Sequence, residues 1–247
     1  MFRKLFVFLL ALAGAGFIAF RTVVRPWWRD WGVVPEELAR HLPGDDLIPE
    51  ASASDTRGIR IAAPPEAIWP WLMQMGYGRA GWYSYDAIDM AGRSSGTLDP
   101  ALDALKVGDV VPTHPGGGFI VRLLEPERAL VLYSDTELMQ DQEAAAHAAG
   151  LDEGSANVRA TGAFMEKAQP TEFSASWAFV LEPTADGGTR LIERVRTRFG
   201  ESDKPWTRYT LPVMGFGVFV MVRRQLLVIK ERAERGTEAS PAEALAG

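Results

Sequence analysis

The chain has 247 residues, 47% of them hydrophobic, no cysteine and a net charge of −6. That composition excludes a disordered chain, disulfides, thiolate metal sites and cysteine nucleophiles. An acidic chain also lacks the electrostatic footprint of a nucleic-acid binder.

Two basic residues, Arg3 and Lys4, precede sixteen uncharged residues, 5–20. The pattern fits an uncleaved anchor or a signal peptide. Small-residue sites resembling cleavage sites lie within the apolar run rather than after it. As a helix the run reaches about 24 Å, slightly short of a hydrocarbon core of about 30 Å, and Thr22, Val23 and Val24 extend it. A single-pass anchor over residues 5–24, within a segment 1–25 of a bacterial-type envelope protein, is therefore expected. Arginines flank both ends, so the positive-inside rule does not fix its orientation. Trp27, Trp28 and Trp31, interleaved with Arg25 and Arg29, read as an interfacial belt, with packing onto the domain as the alternative.

Residues 26–55 are predicted as a connector that wraps the domain, with one short helical stretch at 35–40. Residues 56–61 alternate as a strand, with Arg57, Ile59 and Ile61 of one parity. Pro65 and Glu66 open a helix whose stripe is Ile68, Trp71, Leu72 and Met75, stopped by Gly76. A glycine-rich turn at 78–82 leads to a second short helix from Tyr83. Strand signals follow at 105–111 and 119–124, with a hairpin turn at 125–128 and a return strand at 129–133. Residues 135–170 break the pattern apart from a helical stretch at 141–149, and are expected to act as a lid.

Phe173, Ala175, Trp177, Phe179 and Leu181 share one strand face. The next strand places Arg190, Ile192, Arg194, Arg196 and Arg198 on one face, and Leu191, Glu193, Val195, Thr197 and Phe199 on the other. Burying four guanidiniums is costly, so the arginine face is expected to be wet and Glu193 and Thr197 to point inward. A long helix is predicted over 206–234. Its first half, 211–222, is apolar all round and is expected to lie between sheet and cavity, before a tail at 237–247 without order. Together these elements predict an α+β domain over 56–236, a helix-grip fold with a curved antiparallel sheet around the C-terminal helix and an apolar cavity.

The stretches Ile59-Arg-Ile-Ala-Ala-Pro-Pro-Glu-Ala-Ile-Trp-Pro-Trp-Leu-Met-Gln-Met-Gly76, Gly81-Trp-Tyr-Ser-Tyr-Asp86, Leu105-Lys-Val-Gly-Asp109 and Glu125-Pro-Glu-Arg-Ala-Leu130 resemble the SRPBCC (START-like) superfamily. More narrowly they are similar to polyketide cyclase/dehydrase-like bacterial proteins, several of which carry an N-terminal membrane segment. The resemblance covers roughly residues 30–235. It implies a helix-grip domain but no single activity, because the superfamily spans lipid carriers, hormone and allergen-type binders, cyclases, chaperone cofactors and oxygenase domains.

No phosphate loop, HExxH, EF-hand or GxSxG motif occurs. Gly76-Tyr-Gly-Arg-Ala-Gly81 has dinucleotide-fingerprint spacing but follows a helix, so it is set aside. Three scattered histidines, His41, His114 and His147, do not suggest a metal site, and neither a metal nor a cofactor is expected. Glu193 and His114 are the candidate acid–base residues. The candidate ligand-lining residues are Trp71, Trp82, Tyr83, Tyr85, Asp86, Phe119, Trp177, Glu193, Thr197 and Val218. The leading expectation is a membrane-tethered protein, monomeric in its soluble domain, that holds a lipid-like, polyketide-like or aromatic molecule. A cyclase or dehydratase using Glu193, or an envelope interaction module, are the alternatives.

Overall fold

The computed structural model describes residues 14–16, 18–86, 93–151, 172–201 and 207–243, with backbone alone at 207–209 and 238–243. Most of the lid segment, the end of the helix expected from Tyr83, and residues 1–13 and 244–247 lie outside the described residues.

Six antiparallel strands form one sheet in the order β1-β6-β5-β4-β3-β2. They are β1 (Ala53–Ile61), β2 (Val110–His114), β3 (Gly117–Glu125), β4 (Ala129–Asp135), β5 (Phe173–Pro183) and β6 (Thr189–Phe199). From β2 to β6 each strand pairs with its successor. β1 pairs with β6, so the chain crosses from one sheet edge to the other between β1 and β2. Helix α3 (Pro65–Met73) lies on that crossing and begins with proline at its first position, where a missing N–H costs nothing. Pro70 is accommodated in the second turn of the same helix.

After α4 (Thr136–Ala148), where a helical stretch at 141–149 was expected, the long C-terminal helix α5 (Thr207–Glu243) packs with α3 against the inner face of the sheet. Its Val222, Leu226, Ile229 and Ala233 join Ile68 and Leu72 of α3 and Leu130, Leu132, Phe179 and Leu191 of the sheet in one core. This is an α+β architecture compatible with a helix-grip arrangement. A cavity enclosed between sheet and helix is not seen among the described residues. The depression that is described, of about 630 Å³, is open, lies largely on the outer face, and is lined by polar groups including Asp135, Glu137, Glu172 and Arg198.

Four expectations are corrected. At Tyr83 the backbone turns left-handed (φ 56°) rather than helical, because the chain must reverse out of the Gly76–Gly81 bridge. α5 continues to Glu243, so its tail begins as helix. The first half of α5 is not sandwiched: Val213, Phe216 and Val218 are exposed, and the buried side chains of this half begin only at Phe219.

The fourth correction concerns the arginine face of β6, which is not wet. Residues 32–50, including α2 (Pro35–Ala39), lie across it as a strap. Arg194 is only 3% exposed and donates to Thr56 Oγ1 (2.9 Å), Arg40 O (2.8 Å), Glu37 O (2.7 Å) and Asp45 Oδ2 (2.8 Å). Arg190 binds both carboxylate oxygens of Glu37 and the Gly32 carbonyl, and Arg196 binds the Ile48 carbonyl. Guanidiniums are affordable here because their N–H groups donate to carbonyl, carboxylate and hydroxyl oxygens of the strap and β1. Leu42 and Ile48 of the strap are buried, as are Val131, Val180 and Ile192 of the sheet. Arg198 alone of the row is exposed.

The strap begins at Gly32, whose φ is 74° and where an added Cβ would stand 2.3 Å from the Gly58 carbonyl oxygen. Gly32→Ala is therefore expected to cost about 1–3 kcal/mol, read as a lowered denaturation midpoint.

Candidate functional site

The open end of the inner face gathers several of the sequence-predicted residues. Trp82, after the glycine-rich turn, stacks on Trp177 of β5 with ring centroids 5.4 Å apart and an interplanar angle of 16°. Phe119 meets Trp177 edge-on at 5.6 Å, and Phe179 lies 5.2 Å from it. Register places Val195 opposite Trp177 and Glu193 opposite Phe179, so Glu193 is the diagonal neighbour of Trp177 on the same face. Beyond them Phe173, Val195, Thr197 and Phe199 are half-buried.

Glu193 is fully buried and paired with Arg57 Nη1 at 3.1 Å, directly opposite on β1. Burial pushes its carboxyl pKa up, against the Arg57 charge and hydrogen bond that pull it down. The Trp177 indole also lowers it slightly, yet neither Trp177 Nε1 nor Glu193 Oε1 closes a hydrogen bond of good geometry. Arg57 in turn reaches Asp55 Oδ2 (3.2 Å) and the Trp28 carbonyl (3.3 Å) and lies over the Phe219 ring. Asp55 also binds Arg29 Nε at 2.6 Å. The polar floor is thus a chain of charges, Arg29, Asp55, Arg57 and Glu193, joining the N-terminal helix to β6.

The acid–base reading needed a free inward carboxylate with a partner. One Glu193 oxygen is held by Arg57 instead. His114 sits on β2, four strand spacings from β6, or roughly 19 Å at about 4.8 Å per strand. There its Nδ1 accepts the Gly116 N–H at 3.0 Å, closing the β2–β3 turn. Burial lowers its pKa, with Glu143 opposing, so the ring is held toward its neutral form.

The remaining candidates lie elsewhere. Trp71 and Tyr83 pack edge to face at 5.8 Å, with the Arg232 guanidinium over both rings, away from Glu193. The Tyr83 hydroxyl is buried without a partner, and burial raises its pKa well above the ordinary value, against opposing effects of Arg232 and Arg79. Tyr85 and Asp86 are exposed, and Asp86 accepts the Ser94 N–H at 3.0 Å, tying down its loop. Val218 lies on the exposed half of α5. Arg57, Asp55 and Gln225, whose Nε2 donates to the Trp82 carbonyl at 3.0 Å, were not among the predicted site residues. The parity of Arg57 with Ile59 and Ile61 was the available signal, since it put a cation on the inner face. Among the described residues no cluster of His, Asp or Glu has the makings of a metal site.

One stretch, Thr210–Thr237, is long and apolar enough to cross a membrane, with a mean hydropathy of 1.5. It lies near the C-terminal end and carries core residues in its second half.

No family model matches the chain, and no curated protein matches it. Among 30 matching chains of solved structures is a protein from Mesorhizobium loti determined by a structural genomics consortium. It is 15% identical with a TM-score of 0.36, over 74% of this chain and 98% of that one.

Proposed function

We propose that the protein is a membrane-tethered binding protein for a hydrophobic molecule with a polar end, taken up at the open end of the inner sheet face. The observation that carries this reading is the stacked aromatic wall with Glu193 Oε1 and Trp177 Nε1 buried at its foot, neighbours that close no hydrogen bond of good geometry with each other. Buried polar atoms usually find a partner, and an acceptor beside an N–H suits a hydroxyl, carboxylic acid or amide on a ligand. Phe119, Phe173, Val195 and Phe199 would hold its apolar part. Residues 5–24 would supply the tether. The START-like resemblance of the motifs at 59–76 and 81–86 fits the same reading.

The test uses full-length protein purified in mild detergent and titrated with cis-parinaric acid, a polyene fatty acid excited by transfer from tryptophan. Saturable transfer is expected. Trp177→Phe, which removes the indole N–H and part of the stack, should weaken it about two- to tenfold, the equivalent of roughly 0.5–1.5 kcal/mol. Trp27→Phe should leave it unchanged. If no saturable transfer occurs and solvent extraction of the protein yields no lipid, the reading fails.

A further inference from the structure

We infer that the start of α5, residues 210–218, is itself inserted into a lipid bilayer beside the N-terminal segment, so that two helices hold the domain against the membrane. The inference rests on the anchor reading of residues 5–24 and extends it to a second element that no charge pattern at the N-terminus could reveal.

The full stretch Thr210–Thr237 cannot cross a membrane while the domain is folded. Val222, Leu226, Ile229 and Ala233 are in the core, and Gln225 is bonded to Trp82. The apolar length not used by the core is 210–218. That stretch has no charged residue, yet Val213 (69%), Phe216 (46%) and Val218 (42%) are exposed. A helix facing water carries polar residues on its outward stripe. Here the outward positions stay apolar through Val218 and then switch to two exposed cations, Arg223 and Arg224. Arg208 precedes this run and Arg223 and Arg224 follow it, so charge bounds it at both ends and the helix lies along one leaflet, with its exposed apolar stripe in lipid, rather than crossing the bilayer.

The N-terminal helix supplies the second observation. Its described part exposes Ile18 (62%), Phe20, Val23 and Val24, then continues through a π-helical turn (Phe20–Val24) into α1 (Arg25–Arg29). α1 is packed on this same half of α5. Trp28 meets Phe216 at 5.5 Å, Trp27 meets Phe219 at 5.3 Å, and the Arg223 guanidinium lies 5.1 Å from the centroid of the Trp31 ring. Gly215 leaves room for Trp28, where a Cβ would come within 3.0 Å of the indole. Trp31, just past the end of α1, reaches both Phe219 and Arg223. α1 and the exposed start of α5 are therefore in direct contact. The Arg29 to Asp55 ion pair fixes α1 to β1, so this geometry is held rigidly. Trp27, Trp31, Arg223 and Arg224 then form one interfacial ring, which is the argument for a bilayer rather than a second copy of the chain as the occupant.

Because the chain has no cysteine, single cysteines at Ile18, Val213 and Asp186 can each carry a nitroxide in the full-length protein. The labelled proteins are reconstituted into phosphatidylcholine vesicles, and spin relaxation is compared for oxygen, which concentrates in lipid, and a water-soluble nickel chelate. The labels at 18 and 213 are expected to collide severalfold more with oxygen than with nickel, and the label on the Asp186 hairpin the reverse. If the label at 18 reads as lipid and that at 213 as water, the inference is overturned while the anchor stands. A label at 213 reached by neither reagent means that protein covers the surface, and also overturns it. If the label at 18 reads as water, both the anchor and the inference fall.

Discussion

Arg194→Met should lower the stability of the domain by about 3–5 kcal/mol, as expected when one partner of a buried ion pair is removed. Its guanidinium is the pin of the strap: without it Asp45 loses its close cation, and the carbonyls of Glu37 and Arg40 lose their donors in a dry site. Against a typical total of about 5–15 kcal/mol this is a large fraction. Arg194→Lys should recover only part, since an ammonium cannot reproduce the fork. Arg198→Met, on the exposed end of the same row, should stay within about 0.5 kcal/mol. Denaturant midpoints of the full-length protein give the ranking, and limited proteolysis should show faster cleavage within residues 32–50 in Arg194→Met. Equal midpoints for the 194 and 198 variants would mean that the strap contributes nothing.

The strap is also acid-sensitive. The Arg190 hydrogen bonds hold the Glu37 carboxyl below its ordinary value of 4.5, although burial opposes them. A depressed folded pKa contributes stability above the unfolded value and loses it as pH falls through the folded one. This contribution should therefore disappear only below about pH 4.5, and Glu37→Gln should remove that part of the acid transition.

The second large effect is at the inner face. Arg57→Met leaves Glu193, fully buried, without the cation opposite it, at an expected cost of about 3–5 kcal/mol. The double variant with Glu193→Leu should regain most of that loss, because replacing both ions by apolar groups is often neutral or stabilising. Asp55 keeps its bond to Arg29 in either variant. The pH response has the opposite sign to that of Glu37. Glu193 has a raised pKa, so the folded state binds its proton more tightly and this group favours folding at low pH. Its contribution declines as pH rises from about 4.5 through the folded value. Arg57→Met should push that decline to higher pH, and Glu193→Gln should abolish it. A double variant no more stable than Arg57→Met alone would show that the pair is not what couples β1 to β6.

Much of the fold was legible because its signals are local. The alternation of Leu191, Val195 and Phe199 against Arg190, Arg194 and Arg196 gave both faces of β6, the turn at 125–128 follows from its residues, and Pro65 marks the start of α3. The inward position of Glu193 followed from the same two-residue period. Its partner did not, because Arg57 lies 136 residues away and the pairing depends on strand register. The aromatic wall was half visible: Trp82, Trp177 and Phe119 carry the right residue types, but Trp71 and Tyr83 are of the same types and pack elsewhere.

By itself the sequence determined which side chains share a face, since that is a property of backbone periodicity within one segment. What covers each face was decided only by tertiary structure. A row of arginines reads as solvated until a strap of carbonyls and carboxylates is laid over it, and an apolar helix reads as core until its buried side chains prove to begin at Phe219. Burial is a relation between segments, and no segment carries it alone.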